Sequence, residues 1–259
     1  MDKRVLFGIA VSLVVVCLVL TAGCTGEKKA DYIVGVDAEY APYSYIDENG
    51  NYVGFDVESI QWIAKQKGFT VEIKGVAWDG IIPALLAGNI DMVYSGMTIT
   101  PERAAKVTFS NPYWTVNQGL AVKKGSTATV AQFEAGELII GVQRSCSADQ
   151  WMQDYFGEGK YNQMVKDGKI KLYDSFPQSM VALENGLVQV VIFDDVNIEN
   201  YISGKENLVM LGKIDTKEQY GVALRNEDTK LQNLVNEGIK ELMASDKWNE
   251  LQKKYLVTE

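Results

Sequence analysis

Short apolar runs alternate with amphipathic stretches along the chain from residue 31 onward. The runs at 32–36 and 90–94 are rich in β-branched and aromatic residues, which predicts buried strands. Between them, apolar positions recur with helical spacing and end at Gly68, which predicts a helix that ends there. Asn49-Gly50 separates two further strand-like runs and predicts a hairpin. The alternation of strands and helices indicates an α/β fold.

The second half of the chain repeats this pattern. LIIGV at 138–142 matches the first strand, and ALENGLVQVVIFD at 182–194 matches ALLAGNIDMVYSG at 84–96, an offset of 98 residues. Two matched units predict two similar α/β lobes, with a chance match between generic helix–glycine–strand units as the alternative. A long amphipathic helix beginning at 229 and a short helix at 248–255 are predicted to close the chain.

Polar loops follow four of the predicted strands. In open parallel sheets, ligands bind at the carboxyl ends of the strands, so these loops are expected to face one cleft. The four loops are DAEYAPY (37–43), SGMTITPER (95–103), RSCSADQ (144–150) and DDVNIEN (194–200).

SGMTITPER combines a small polar loop with the start of a helix. Thr100 is placed to cap that helix and Pro101 to occupy its first position. Arg103 then projects from the first turn, where free backbone N–H groups also favour an anion. The pattern predicts a carboxylate-binding site, and a capped helix with a solvated arginine is the structural alternative.

Composition excludes several classes of function. The chain of 259 residues contains no histidine, so nucleophilic sites that use histidine and histidine-containing zinc sites are ruled out. A net charge of −9 argues against a nucleic-acid partner. Neither a metal nor a cofactor is expected.

The first 24 residues have the pattern of an export signal. Two basic residues precede an apolar run from Val5 to Leu20, and the segment ends in LTAGC. The interpretation is a signal peptide at 1–23, cleaved before a lipidated Cys24, with 24–30 as a tether on the outer face of the cell membrane. An uncleaved membrane anchor is the alternative. Cys146 is then a lone thiol in the exported domain.

These motifs resemble the type 2 periplasmic amino-acid-binding proteins of ABC importers, the solute-binding protein family 3. The glutamine-, histidine- and lysine/arginine/ornithine-binding members are the nearest comparison, and the stretch 78–113 is the most specific. The resemblance implies an α/β periplasmic-binding-protein fold (type 2), with a ligand cleft between two lobes joined by a two-strand hinge. Lobe 1 would comprise 31–115 and 218–259, and lobe 2 would comprise 116–217.

The same resemblance implies a role for each residue of the site. Arg103 would bind the ligand α-carboxylate, and Asp194 would bind the α-ammonium. Tyr40 and Trp78 would stack on the ligand side chain, and Asp37 would meet its far polar end. The full set of expected ligand-binding residues is Asp37, Tyr40, Trp78, Ser95, Gly96, Met97, Thr98, Arg103, Ser145, Cys146, Ser147 and Asp194.

Structural alternatives and departures from the family pattern stay open at this point. Tyr40 and Trp78 could be core aromatics, and Asp194 could cap a helix. The family usually has Gly-Thr where this chain has Ser145-Cys146, so strain that glycine would relieve must be handled differently. Arg144 beside this pair would favour an acidic ligand.

The expected function is capture of a polar amino acid and its delivery to ABC permease subunits, by a monomer. Arginine or lysine is expected to bind best because of Asp37, with glutamine next and glutamate poorly. Alternatives are a glutamine- or glutamate-binding member, a ligand-sensing receptor domain, or a dehydratase-like enzyme on the same scaffold. An enzyme would need a spare carboxylate in the cleft, and Glu39 and Asp195 are the candidates.

Overall fold

The fold of residues 30–256, which a computed structural model describes, is built on two five-stranded sheets. The expected signal segment and Cys24 lie outside the described residues. The strands are β1 (Tyr32–Val36), β2 (Glu39–Tyr40), β3 (Ser44–Ile46), β4 (Tyr52–Val53), β5 (Val71–Gly75), β6 (Met92–Val93), β7 (Thr108–Phe109), β8 (Trp114–Lys123), β9 (Ile140–Gln143), β10 (Ile170–Tyr173), β11 (Val190–Asp194), β12 (Leu208–Tyr220) and β13 (Ala223–Leu224). The helices are α1 (Phe55–Lys67), α2 (Trp78–Leu86), α3 (Pro101–Ala104), α4 (Val130–Ala135), α5 (Ser147–Phe156), α6 (Glu158–Lys166), α7 (Phe176–Glu184), α8 (Asp195–Ile202), α9 (Thr229–Met243) and α10 (Asp246–Tyr255).

Each sheet forms the centre of one lobe. The sheet of lobe 1 has the order β5-β1-β6-β13-β7, with β1 parallel to both β5 and β6. The sheet of lobe 2 has the order β10-β9-β11-β8-β12, with β9 parallel to both β10 and β11. The α/β class and the two lobes predicted from the sequence are confirmed.

The internal repeat corresponds to equivalent positions in the two lobes. The matched strands β1 and β9 both lie second in their sheets, and the matched units are α2–β6 and α7–β11. Gly88 and Gly186, which end the two helices, have nearly the same left-handed backbone, with φ of 74° and 73°. The second helix–glycine–strand unit therefore has the local geometry of the first.

Two long strands connect the lobes. β8 and β12 pair antiparallel from Tyr220↔Trp114 to Leu208↔Lys123, with an irregularity between Ile214 and Glu218. Tyr220, at the end of β12, also forms a bridge with Thr98 of lobe 1. The two strands correspond to the two-strand hinge that the family resemblance implied, while the residues that divide the lobes remain a prediction.

The closing helices pack as their pattern predicts. α9 buries Leu231, Val235, Ile239 and Leu242 along one face and packs on α1. The short helix begins at Asp246, two residues before the predicted start. The predicted hairpin is present as β3 and β4, with Asp47 accepting a backbone hydrogen bond from Gly50 at 3.0 Å. Within residues 30–256, no helix is long and apolar enough to cross a membrane.

Candidate ligand-binding cleft

The carboxyl ends of β1, β6, β9 and β11 meet between the two lobes. These are the ends that carry the four polar loops of the sequence. A small cavity lies there, enclosed by side chains from both lobes. It is lined by Tyr40, Trp78, Gly96, Thr98, Arg103, Gln143, Cys146, Ser147, Phe193 and Asp194. Eight of the twelve residues predicted for ligand binding are among them, and the other four, Asp37, Ser95, Met97 and Ser145, lie behind or beside them.

Arg103 is buried at the lobe 1 side of this cavity, with 3 % of its surface exposed. Thr100 caps the short helix by accepting from the Arg103 backbone N–H, with Pro101 at the first position, as predicted. The guanidinium donates to the Thr98 carbonyl at 2.9 Å and to the Ser145 carbonyl at 3.1 Å. Burial lowers the pKa of this group, which would be offset by an anionic partner. The solvated-arginine alternative is therefore wrong.

Ser145 provides a cleft-facing carbonyl group. Its φ of 59° lies in the left-handed region, where residues other than glycine are strained. The carboxylate of Asp149 accepts from the Ser145 N–H at 2.8 Å and also from the Tyr161 hydroxyl. The carbonyl accepts from Arg103 and, at 3.0 Å, from Nε1 of Trp78. The strain that glycine would relieve is thus compensated by a buried carboxylate.

Asp194 ends β11 on the lobe 2 side and accepts hydrogen bonds from several elements. Its Oδ2 accepts from the hydroxyl groups of Tyr40 and Tyr220, the latter at 2.8 Å. Its Oδ1 accepts from Nε2 of Gln118 at 2.7 Å and from the Ser147 hydroxyl at 3.4 Å. Burial, with the charge of nearby Glu218, raises the pKa of Asp194 to about 6. Asp194 precedes α8 without a side-chain capping bond, so the capping alternative is wrong.

Gly96 has no side chain and so leaves room for the rings of Tyr40 and Tyr220. A Cβ atom at this position would lie 2.4 Å from Cε1 of Tyr40 and 3.0 Å from a ring carbon of Tyr220. Its φ of 54° is also left-handed. The Gly96 N–H donates at 2.6 Å to Asp56, a fully buried carboxylate behind the loop. Glycine is required here both for space and for backbone conformation.

Asp37 lies at the end of β1, behind the cavity wall. Its Oδ2 accepts from Nε2 of Gln143 of lobe 2 at 3.3 Å, and its backbone N–H donates to Ser95 Oγ at 3.0 Å. Burial raises the pKa of this carboxyl. Ser95 also bonds to Ser44 at 2.8 Å, so it supports Asp37 from within lobe 1. Asp37 is outside the cavity lining, whereas its hydrogen-bond partner Gln143 is part of it.

Aromatic rings form one wall of the cavity. The rings of Tyr40 and Trp78 lie 6.4 Å apart with an interplanar angle of 25°. The Arg103 guanidinium lies 5.2 Å from the Trp78 ring centre, and Phe193 meets Tyr40 edge-on at 5.8 Å. Both predicted aromatic residues therefore face the cleft, and Trp78 also contacts the arginine.

Several other predicted positions are now placed. Cys146 is buried and lines the cavity, whereas Met97 is buried in the lobe 1 core. Arg144 is outside the cavity lining and lies 3.8 Å from the exposed Asp174. Of the two spare carboxylates, Asp195 pairs with Lys213 at 2.9 Å and Glu39 is exposed.

The two lobes are in contact across the cleft. The cavity has a volume of about 10 Å³, which is room for about one water molecule. A wider opening of about 580 Å³ adjoins it at Thr98 and Ser147 and reaches the hinge at Glu218. Binding of an amino acid therefore requires the lobes to separate or the lining side chains to move.

Five residues of this arrangement were absent from the sequence-based prediction. Phe193 lies inside a motif already singled out and Gln143 lies directly between two of them, so proximity to Asp194 and Ser145 was a usable signal. The hinge residues had no such signal, since periodicity does not show which side of a crossing strand faces a cleft. The five are Gln118, Gln143, Phe193, Glu218 and Tyr220. Among residues 30–256, no cluster of histidine, cysteine, aspartate or glutamate is arranged to hold a metal ion.

Two α/β lobes joined by two crossing strands, with polar strand ends facing one cleft, define a two-lobed ligand-binding protein. Residues 32–258 match a family of bacterial extracellular binding proteins. The chain belongs to the bacterial extracellular solute-binding proteins, family 3.

Several relatives are named for the amino acid they bind, and they match this chain over most of their own length. A Neisseria gonorrhoeae protein named as a probable histidine-binding protein is 30% identical, over 88% of this chain and 84% of its own. The arginine-binding extracellular protein ArtP of Bacillus subtilis is 29% identical, over 91% and 89%. The solved structure of an ancestral arginine-binding protein bound to arginine has a TM-score of 0.78 and 32% identity, covering 87% of this chain and 98% of that one.

Proposed function

We propose that the protein is an extracytoplasmic solute-binding lipoprotein that captures a free basic amino acid and delivers it to an ABC-type permease. The observation that carries the proposal is the placement of Arg103 and Asp194, both buried, at the same cavity and on opposite lobes. The two ends of a zwitterion would be bound by the two lobes, so a bound amino acid would hold the cleft closed.

The charge of the cleft supports a basic side chain. Arg103 is the cation of the cavity lining, while Asp194 lines it and Asp37 and Glu218 lie next to it. A neutral amino acid would use Arg103 and Asp194 and leave Asp37 without a cation. Arg144, which would have favoured an acidic ligand, faces Asp174 instead. Relatives named for arginine and histidine are consistent with a basic ligand.

Delivery to a permease and anchoring through Cys24 rest on family membership and on the LTAGC ending of the first segment. Cys24→Ser should release the protein from membranes and leave its ligand affinity unchanged. Fractionation of cells expressing the two forms tests this. A variant that stays membrane-bound would show that the segment is a spanning anchor.

The ligand can be identified by a thermal-shift screen of the full chain in detergent against the twenty amino acids, because a ligand that binds the folded state raises its melting temperature. Calorimetry then ranks the hits. Arginine or lysine should rank first, glutamine next and glutamate low. A glutamate maximum would overturn the basic-ligand proposal, and mass spectrometry that detects a converted product would indicate the dehydratase alternative.

A further inference from the structure

Glu218 is a carboxylate of the cleft for which the proposed binding scheme has no role. It lies on β12 where the pairing of the two hinge strands becomes irregular. Its Oε2 accepts from the Thr98 hydroxyl at 3.0 Å, and its Oε1 accepts from Nε2 of Gln118 at 2.9 Å. Thr98 lines the ligand cavity, and Gln118 is fully buried and donates to Asp194, which also lines it.

Gln118 connects this carboxylate to Asp194. Its amide nitrogen is 2.7 Å from Oδ1 of Asp194 and 2.9 Å from Oε1 of Glu218. One NH₂ group thus serves two carboxylates, and Ser147 Oγ lies 3.2 Å from the same nitrogen. Two neighbouring negative charges with one neutral donor between them repel each other and favour the arrival of a cation.

The hydrogen-bond direction at Thr98 favours a ligand that donates. The hydroxyl has one hydrogen, and it is directed to Glu218. The lone pairs of the hydroxyl oxygen are therefore left to accept. An ammonium group carries three donors and no acceptor, so it fits a position between this oxygen and Asp194.

We propose that Glu218 is a positioning and specificity residue for the ligand α-ammonium, acting through Thr98 and Gln118 as the second negative group beside Asp194. This inference rests on the proposed function. Glu218 adds negative potential where the ammonium binds and holds the Thr98 hydroxyl in its accepting orientation. The site would then discriminate strongly against ligands that lack the α-amino group.

Several elements around Asp194 contribute to its pKa. Burial raises its pKa most, followed by Glu218, and the donors on β2, β12 and β8 lower it. Ionisable groups also lie near Asp194 on β2, on the loop that follows β2, on α3, at the start of α5 and on β12. They are Tyr40, Tyr43, Arg103, Cys146, Glu218 and Tyr220. Removing the Glu218 charge should therefore lower the pKa of Asp194 without removing any direct partner of Asp194.

The test compares Glu218→Gln with Asp154→Asn and wild type, using the full chain and arginine as the probe. Asp154 is an exposed carboxylate that lines the same wide opening, so its change controls for general charge. At about pH 7.5, Glu218→Gln should bind arginine about fivefold more weakly than the other two. Lowering the pH to about 5 protonates Asp194, whose pKa is about 6, and should weaken wild-type binding about tenfold. The loss should be smaller in Glu218→Gln.

A second ligand separates the proposed role from a structural one. The arginine analogue 5-guanidinopentanoate lacks the α-amino group, so its affinity should differ little between Glu218→Gln and wild type. Two outcomes would overturn the inference while the proposed function stands. One is that Glu218→Gln weakens the binding of arginine and of the analogue by the same factor. The other is that Glu218→Gln and Asp154→Asn bind arginine with the same affinity at both pH values. Failure of wild type to bind any amino acid would overturn the proposed function itself.

Discussion

Arg103 and Asp194 carry opposite charges and have neutral hydrogen-bond partners. The guanidinium donates to two carbonyl oxygens, and the carboxylate accepts from two hydroxyl groups and an amide. Such partners satisfy the hydrogen bonds of a buried charge without neutralising it. An amino acid would supply a counter-charge to each group at once, which explains how one small ligand could be bound tightly.

Substitution of Arg103 tests the carboxylate site. Arg103→Ala should weaken amino-acid binding by about 2–5 kcal/mol, since one partner of a buried charge pair is lost. Arg103→Lys should recover part of the loss, because lysine keeps the charge without the planar pair of donors. Calorimetry measures both, with circular dichroism to show that each variant is folded. Near-normal affinity in a folded alanine variant would contradict the assignment.

Substitution of Asp37 tests the selectivity for a basic side chain. Asp37→Asn keeps an acceptor for Gln143 but removes the charge, so the preference for arginine over glutamine should narrow. Glu39→Gln provides the matched control, since Glu39 is two residues away and exposed. Affinities of arginine, lysine, glutamine and glutamate are measured for the three proteins. If the order of the four affinities and the ratios between them are unchanged in Asp37→Asn, the side chain of the ligand binds elsewhere.

The junction of β9 and α5 shows how an element end is adapted to a site. Ser145 adopts a left-handed backbone, which costs a residue other than glycine about 1–3 kcal/mol. Asp149, in the first turn of α5, accepts a hydrogen bond from the Ser145 N–H, and the Tyr161 hydroxyl from α6 donates to Asp149. The conformation directs a carbonyl group to Arg103, so two helices of lobe 2 support a contact with lobe 1.

This dependence predicts a rescue. Asp149→Asn should lower the free energy of unfolding by about 1–3 kcal/mol, because Ser145 N–H and Tyr161 lose a charged partner. In a Ser145→Gly background the loss should be smaller, since glycine adopts the left-handed backbone without that support. The free energies of unfolding in urea of wild type, the two single variants and the double variant give the coupling energy between Ser145 and Asp149. Equal losses in both backgrounds would show that Asp149 does not stabilise the backbone of Ser145.

Periodicity in the sequence predicted the elements well and the site in part. The helix that ends at Gly68, the hairpin and the repeated strand–helix units follow from spacing and turn residues, which act locally. Thr100 and Pro101 likewise indicated the helix that carries Arg103. Glu218 and Gln118 were missed because a crossing strand has no local signal for the side that faces a cleft. The position of Asp37 behind Gln143 depends on contacts between the lobes, which a local sequence pattern does not reveal.

The molecule as a whole is held closed by bonds that span the cleft. Besides Tyr40 to Asp194 and Trp78 to Ser145, Nδ2 of Asn197 in lobe 2 donates to the Ala41 carbonyl in lobe 1 at 2.7 Å. Asn197 is fully buried and outside the cavity lining. These contacts favour the closed arrangement and compete with solvent when the lobes open.

Asn197 therefore offers a test of closure that leaves the ligand contacts intact. Asn197→Ala removes one hydrogen bond of the closed form and should weaken arginine binding about twofold to tenfold. The change should appear mainly in the dissociation rate, because the open form is the one that a ligand meets. Stopped-flow binding separates the two rates. A slower association with unchanged dissociation would indicate that the residue acts in the open form instead.

The bond between the Trp78 indole and the Ser145 carbonyl has a spectroscopic consequence. Trp78 is half-buried at the mouth of the cleft, and its N–H is held by the opposite lobe. When the lobes separate, water replaces that carbonyl and solvates the ring, which should shift the fluorescence emission of the indole to longer wavelengths. Trp78 is one of five tryptophans, so the part of the emission shift that Trp78→Phe abolishes would report opening, and arginine titrations could be followed without attaching a dye.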